Sequence, residues 1–178
     1  MALDLGGLLS KYLNVQAGQS APDAENHFDQ VARHAPPEVL GQGISDALRS
    51  DSTPSLGQMV GDVYSKAEPH QQAGMLNQIL GSLGPGVLSS LGGGALGGIL
   101  GQLGGQLAGA GTPQVTPQQA SQVSPQQVQD LANHAEQQDP GIFDKLGSFY
   151  AKNPELVKTL GAAALTIAMA NIAGRMKR

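Results

Sequence analysis

From Pro69 to Gln129 the chain carries no Asp, Glu, Lys or Arg. A helix in water normally keeps charge on its wet face, so an uncharged stretch of this length is buried, associated with something, or disordered. Inside it, glycines recur every four residues, at Gly93, Gly97, Gly101, Gly105 and Gly109. Residues i and i+4 are neighbours on a helix, so this row would form a shallow groove that another backbone can approach closely. Leu96, Ile99, Leu100, Leu103 and Leu107 would form an apolar ridge beside it. The row drifts about 40° per step, which limits a straight partner to about three glycines. The glycines of residues 92–111 also cost roughly 8–10 kcal/mol relative to alanine, too much for a lone helix in water. Three readings of residues 84–112 therefore stay open. The segment is a flexible Gly-rich linker, a glycine-zipper helix packed in a bundle or homo-oligomer, or a membrane-inserted hairpin or span weakened by Gln102 and Gln106.

Outside this stretch, proline marks where helices begin. Thr53-Pro54, Thr116-Pro117, Ser124-Pro125, Asp139-Pro140 and Asn153-Pro154 each put a capping side chain before a proline. The cap satisfies an orphan N–H, and proline at the first helical position loses nothing by lacking one. Thr116-Pro-Gln-Gln119 and Ser124-Pro-Gln-Gln127 also fit the capping-box pattern. Between these starts the apolar spacing is helical. Phe28 and Val31 share a face; Val39, Leu40, Ile44, Ala47 and Leu48 make a stripe; so do Leu56, Met59, Val60, Val63 and Tyr64, and then Met75, Leu76, Ile79 and Leu80. No run alternates with β-branched enrichment, so no strands are expected.

The expected fold is all-α, with short Pro-initiated helices in two small lobes joined by the Gly-rich segment. Residues 1–19 hold an amphipathic helix (Leu3, Leu5, Leu8, Leu9, Tyr12, Leu13) and a polar linker. Residues 20–83 form one lobe, 84–112 the Gly-rich segment and 113–178 the second lobe. One longer apolar helix is expected from Pro154, with Leu156, Leu160, Ala163, Ile167, Ala170 and Gly174 near one face. Its uncharged part, Thr159 to Gly174, is shorter than the roughly 20 residues needed to span a bilayer. It reads as a core helix, and its basic tail Arg175-Met-Lys-Arg178 offers the alternative of an anionic membrane surface.

The chemistry-bearing residues are sparse. A formal net charge of -4 with ten Lys and Arg argues against a nucleic-acid surface. The absence of cysteine removes disulfides, thiolate metal sites and thiol nucleophiles. His27 and His34 lie two helical turns apart and are weak metal candidates, since a metal usually needs the i, i+4 spacing or a further ligand. Asp144 and Glu155 read as isolated acids on solvated faces, and Phe143, Phe149 and Tyr150 as a packing cluster. The Gly-rich run contains no lysine and is no phosphate loop. The N-terminus lacks a basic segment before its apolar residues, so no signal peptide is expected and the expected compartment is the cytoplasm.

The Leu/Gly-rich segments, the two Pro-Gln-Gln helix starts and the tract FYAKNPELVKTLGAAA from Phe149 to Ala164 resemble small bacterial proteins of the YidB-like family, over roughly residues 75–175. That family is of unknown function, so the resemblance implies no catalytic residue. The expected function is non-enzymatic: a helical protein that self-associates or binds a protein partner, with no cofactor. The alternatives are a membrane-associated protein and a metal protein using His27 and His34.

Overall fold

The protein is all-α. The computed structural model describes residues 5–13, 23–83 and 114–176, and among these every regular element is a helix. In order they are α1 (Leu5–Leu13), α2 (Ala24–His34), α3 (Pro37–Leu48), α4 (Leu56–Lys66), α5 (Pro69–Ser82), α6 (Pro117–Ala120), α7 (Pro125–Gln138), α8 (Ile142–Lys152), α9 (Pro154–Lys158) and α10 (Ala162–Met176). The glycine ladder at Gly93 to Gly109 lies outside the described residues.

The helix starts follow the capping chemistry in part. Thr116 and Ser124 accept the N–H groups of Gln119 and Gln127, whose side chains reach back to the cap backbone. Glu68 and Gln71 make a third such box that opens α5 at Pro69. Thr53, Asp139 and Asn153 act differently. Thr53 Oγ1 donates back to the Ala47 and Ser50 carbonyls, and α4 begins only at Leu56. Asp139 accepts from the Gly141 N–H, so α8 begins at Ile142 rather than Pro140. Asn153 stands at the start of α9, but its side chain donates to the Phe149 carbonyl.

The chain divides into two compact units, and they do not follow the boundaries expected from the sequence. One unit combines residues 1–55 with 143–178; the other is residues 56–142. The expected boundaries rest on neighbouring helices packing together. Here the turns at residues 49–55 and 139–141 instead carry the chain from one unit to the other.

In the unit of residues 56–142, α4 packs along α7, and α5 packs on α6 and α7. Gly57 faces Asn133 and Gly61 faces Gln129, so α4 and α7 run antiparallel with glycines set four apart in the contact. Leu56, Met59, Val60, Val63, Tyr64, Met75, Leu76, Ile79 and Leu80 are all buried, as their spacing predicts. Tyr64 donates its hydroxyl to the Ala120 carbonyl, and burial raises its pKa.

In the other unit, α10 is the central element and packs on α1, α2 and α3. Phe28, Val31, Leu40, Ile44, Ala47 and Leu48 are buried there, while Val39 is half-buried. Two departures concern the apolar tract after Pro154. It is broken, because Gly161 sits at φ 92°, in the left-handed region that ends the helix and restarts it as α10. The break also resets the face. Ala164, Leu165, Ala168, Met169, Ile172 and Ala173 are buried, whereas Leu160, Ala163, Ile167, Ala170 and Gly174 are half-exposed.

Candidate functional site

At the seam where α8 meets α3, backbone and side chains approach closely. Gly147 approaches the Gly41 carbonyl so closely that a Cβ there would collide with it, and that Cβ would also meet Ser45 Cβ at 3.0 Å. This close approach lets Asp144 reach α3. Its carboxylate accepts from Ser45 Oγ at 2.6 Å and from Arg49 Nη2 at 3.0 Å. The guanidinium of Arg49 also lies 5.2 Å from the centre of the Phe143 ring. Asp144, expected as an isolated acid, therefore holds two partners that are distant in sequence.

The Ser45 hydrogen bond is the main cause that lowers the Asp144 pKa, with Arg49 adding to it. A depressed carboxylate contributes stability above its unfolded pKa and loses it as pH falls through the folded value. The Asp144 side chain is 63% exposed, so solvent reduces the contribution to the surface-pair range of about 0.2–1 kcal/mol. Asp144→Asn should therefore lower the thermal midpoint at neutral pH and make no difference once wild-type Asp144 is itself protonated. Melting curves at neutral and strongly acidic pH check this; an equal loss at both would show that the charge plays no part.

Beside the half-exposed face of α10 lies a cleft of about 250 Å³ lined by Asp46, Ala170, Asn171, Gly174 and Arg175. Arg175 donates to Asp46 at 2.6 Å and to Gln42 at 2.9 Å. The two opposite charges satisfy each other, so the cleft offers a ligand no uncompensated charge from this pair. Arg175 of the basic tail is thus held on α3. Lys158, in the same way, is paired with Asp29 at 3.0 Å.

The histidines are committed elsewhere. His27 Nδ1 is hydrogen-bonded to the Tyr12 hydroxyl at 2.7 Å, which ties α1 to α2. Tyr12 is buried, and burial followed by the nearby Asp23 charge raises its pKa. His34 Nδ1 engages the Gln30 carbonyl of its own helix. Among the described residues, no three of His, Asp and Glu come together as a metal would need. Phe143 and Tyr150 are buried in packing contacts, and the Tyr150 hydroxyl has no partner among the described residues. Among those residues, too, no helix is long and apolar enough to cross a membrane.

The sequence reading missed the seam because its residues lie about a hundred positions apart. The available signals were Gly41 and Gly147, glycines inside otherwise regular helical patterns, where a helix pays for them only if something packs close.

Compared with protein-family models, with curated proteins and with solved structures, the chain matches none.

Proposed function

We propose that the protein is a non-enzymatic helical interaction protein that self-associates, and that the glycine ladder is the surface it uses. The observation that carries this reading is the position of Val115. Its N–H donates to Asn77 Oδ1 at 2.7 Å, and its carbonyl accepts from Asn77 Nδ2 at 3.3 Å. Six residues of helix separate Asn77 from Leu83, about 9 Å. A connection of about five residues would close that gap. The chain spends residues 84–113 on it, all of them uncharged. Both ends of the stretch belong to one compact unit, so its length serves no span between lobes. A long uncharged sequence with glycines every four residues is suited to receiving another helix.

Light scattering coupled to size exclusion tests it. The wild-type chain should have a mass above the monomer that depends on concentration. Gly101→Leu should be monomeric. Leucine favours helix more than glycine does, so a loss of association would come from the filled groove and not from lost helicity. Replacing residues 88–109 with a short Gly-Ser bridge should give the same monomer with an unchanged melting midpoint. A wild-type chain that stays monomeric at all concentrations would remove this reading.

A further inference from the structure

Two parts of the chain carry the same pattern. α4 and α8 are both 11 residues long and superpose in sequence at a constant offset. The offset pairs Leu56 with Ile142, Val60 with Leu146, Gly61 with Gly147, Val63 with Phe149, Tyr64 with Tyr150 and Lys66 with Lys152. Burial repeats along the two helices, differing only at 59/145, 63/149 and 65/151. Gly61 and Gly147 each meet a crossing helix, and each tyrosine ring is buried with its pKa raised. A proline then opens the next helix, Pro69 in α5 and Pro154 in α9.

The helices that lead into these two parts also match. Phe28, Val31, His34 and Ala35 of α2 and its cap pair with Val128, Leu131, His134 and Ala135 of α7. The apolar members are buried, and both histidines are exposed. Each half of the chain therefore runs in the same order, α2 then α4 and α5, and α7 then α8 and α9. Helix α3 stands between the matched helices in the first half only.

The packing crosses these halves. α7 of the second half takes α4 and α5 of the first, and α2 of the first half takes α9 and α10 of the second. We propose that the chain is a tandem duplication whose halves have exchanged partners, and that a second copy of this chain can supply the missing half in trans, giving an exchanged dimer. This goes beyond the glycine-ladder reading, because its contacts are those already made inside one chain.

Sequence divergence explains why a half does not close on itself. α8 carries Phe143 where α4 carries Gly57, and Gly57 is the residue in contact with Asn133 of α7. α8 cannot take that place without forcing a ring into it. A second copy offers α7 the same α4 it already accepts. The trans and cis forms then differ mainly by the tether, which gives the halves an effective concentration in the millimolar range. A chain folded at micromolar concentration closes on itself. One folded at millimolar concentration exchanges, and the exchanged form persists, because release requires a unit to open.

The test uses the full chain, unfolded in guanidinium and refolded by dilution at micromolar or millimolar concentration. Two double variants report the pairing: Gly57→Cys with Asn133→Cys, and Asp29→Cys with Lys158→Cys. Each places its thiols in opposite halves, in a chain that has no cysteine of its own. A short thiol-reactive cross-linker should give monomer bands after dilute refolding. After concentrated refolding it should give covalent dimers, which persist when the sample is diluted before the cross-linker is added. Dimers seen by light scattering whose cross-linked bands stay monomeric would overturn the proposal, since their halves remain paired within one chain. Monomer at both refolding concentrations would overturn it as well. If one variant pair fails to recover the wild-type helical signal, the other reads the same exchange. Association of never-unfolded protein that reverses at once on dilution, with no covalent dimer after concentrated refolding, supports the ladder surface and overturns exchange.

Discussion

Residues 1–83 and 113–178, made together as two separate polypeptides, should purify as a one-to-one complex with the helical signal of the intact chain minus the excised segment. Made separately, each should lose most of its helicity and cooperative melting. The reason is that each compact unit is built from helices of both pieces. Residues 1–83 contain α2 and α3 without α9 and α10, and α4 and α5 without α7. Every unit would be missing a wall, exposing Phe28, Val31, Leu56, Val60 and their neighbours. A domain holds only about 5–15 kcal/mol in total, and burying a single large aliphatic side chain is worth about 1.5–3 kcal/mol, so losing several such contacts leaves nothing to fold. Two lobes on a tether would behave in the opposite way. Circular dichroism and size exclusion on the separate pieces distinguish them: a folded, cooperatively melting 1–83 would refute the crossed arrangement.

Gly147→Ala should destabilise the protein by about 1–3 kcal/mol, while Gly57→Ala should be neutral or stabilising by up to about 1 kcal/mol. Both glycines are inside helices, so alanine gains about 1 kcal/mol of helix propensity at either site. What the new methyl meets decides the sign. At Gly147 it meets the Gly41 carbonyl, a backbone atom that can yield only if α3 and α8 move apart. That separation also stretches the Ser45–Asp144 and Arg49–Asp144 bonds. Overpacking of this kind typically costs about 1–3 kcal/mol and can exceed the propensity gain. At Gly57 the atoms nearest the methyl belong to the Asn133 side-chain amide, which can rotate away. For a unit of this size each kcal/mol moves the midpoint by about 4–8 °C, so thermal melts should separate the two variants clearly. Equal midpoints would mean that the α3–α8 seam is looser than its geometry.

How much of this was legible from the residues depends on range. Stripes such as Leu56, Met59, Val60, Val63 and Tyr64 are local, and periodicity finds them. The capping boxes at Thr116 and Ser124 are local too, because both partners lie within one turn. The break at Gly161 was legible only in part. A lone glycine in an apolar tract can continue a helix or end it, and the left-handed turn there moved the buried face from Ala163, Ile167 and Ala170 to Ala164, Ala168 and Ile172. The crossed pairing was hidden. Which buried stripe faces which is set by long-range complementarity, such as Gly57 against Asn133 and Lys158 against Asp29, and no local pattern encodes it. The same distance kept Asp144 and His27 from being read correctly. Their surroundings, Ser45 with Arg49 and Tyr12, come from other helices.

The ion pair between Asp29 and Lys158 spans 129 positions, and so does that between Asp46 and Arg175. During synthesis this sets a schedule. The unit of residues 56–142 can close once α7 has left the ribosome, although α2 and α3 were made before it. Those two helices keep their apolar faces uncovered until α9 and α10 arrive. The part of the protein translated first is therefore finished last, and a ribosome stalled after α7 has emerged but before α10 has emerged leaves a folded middle with an exposed beginning.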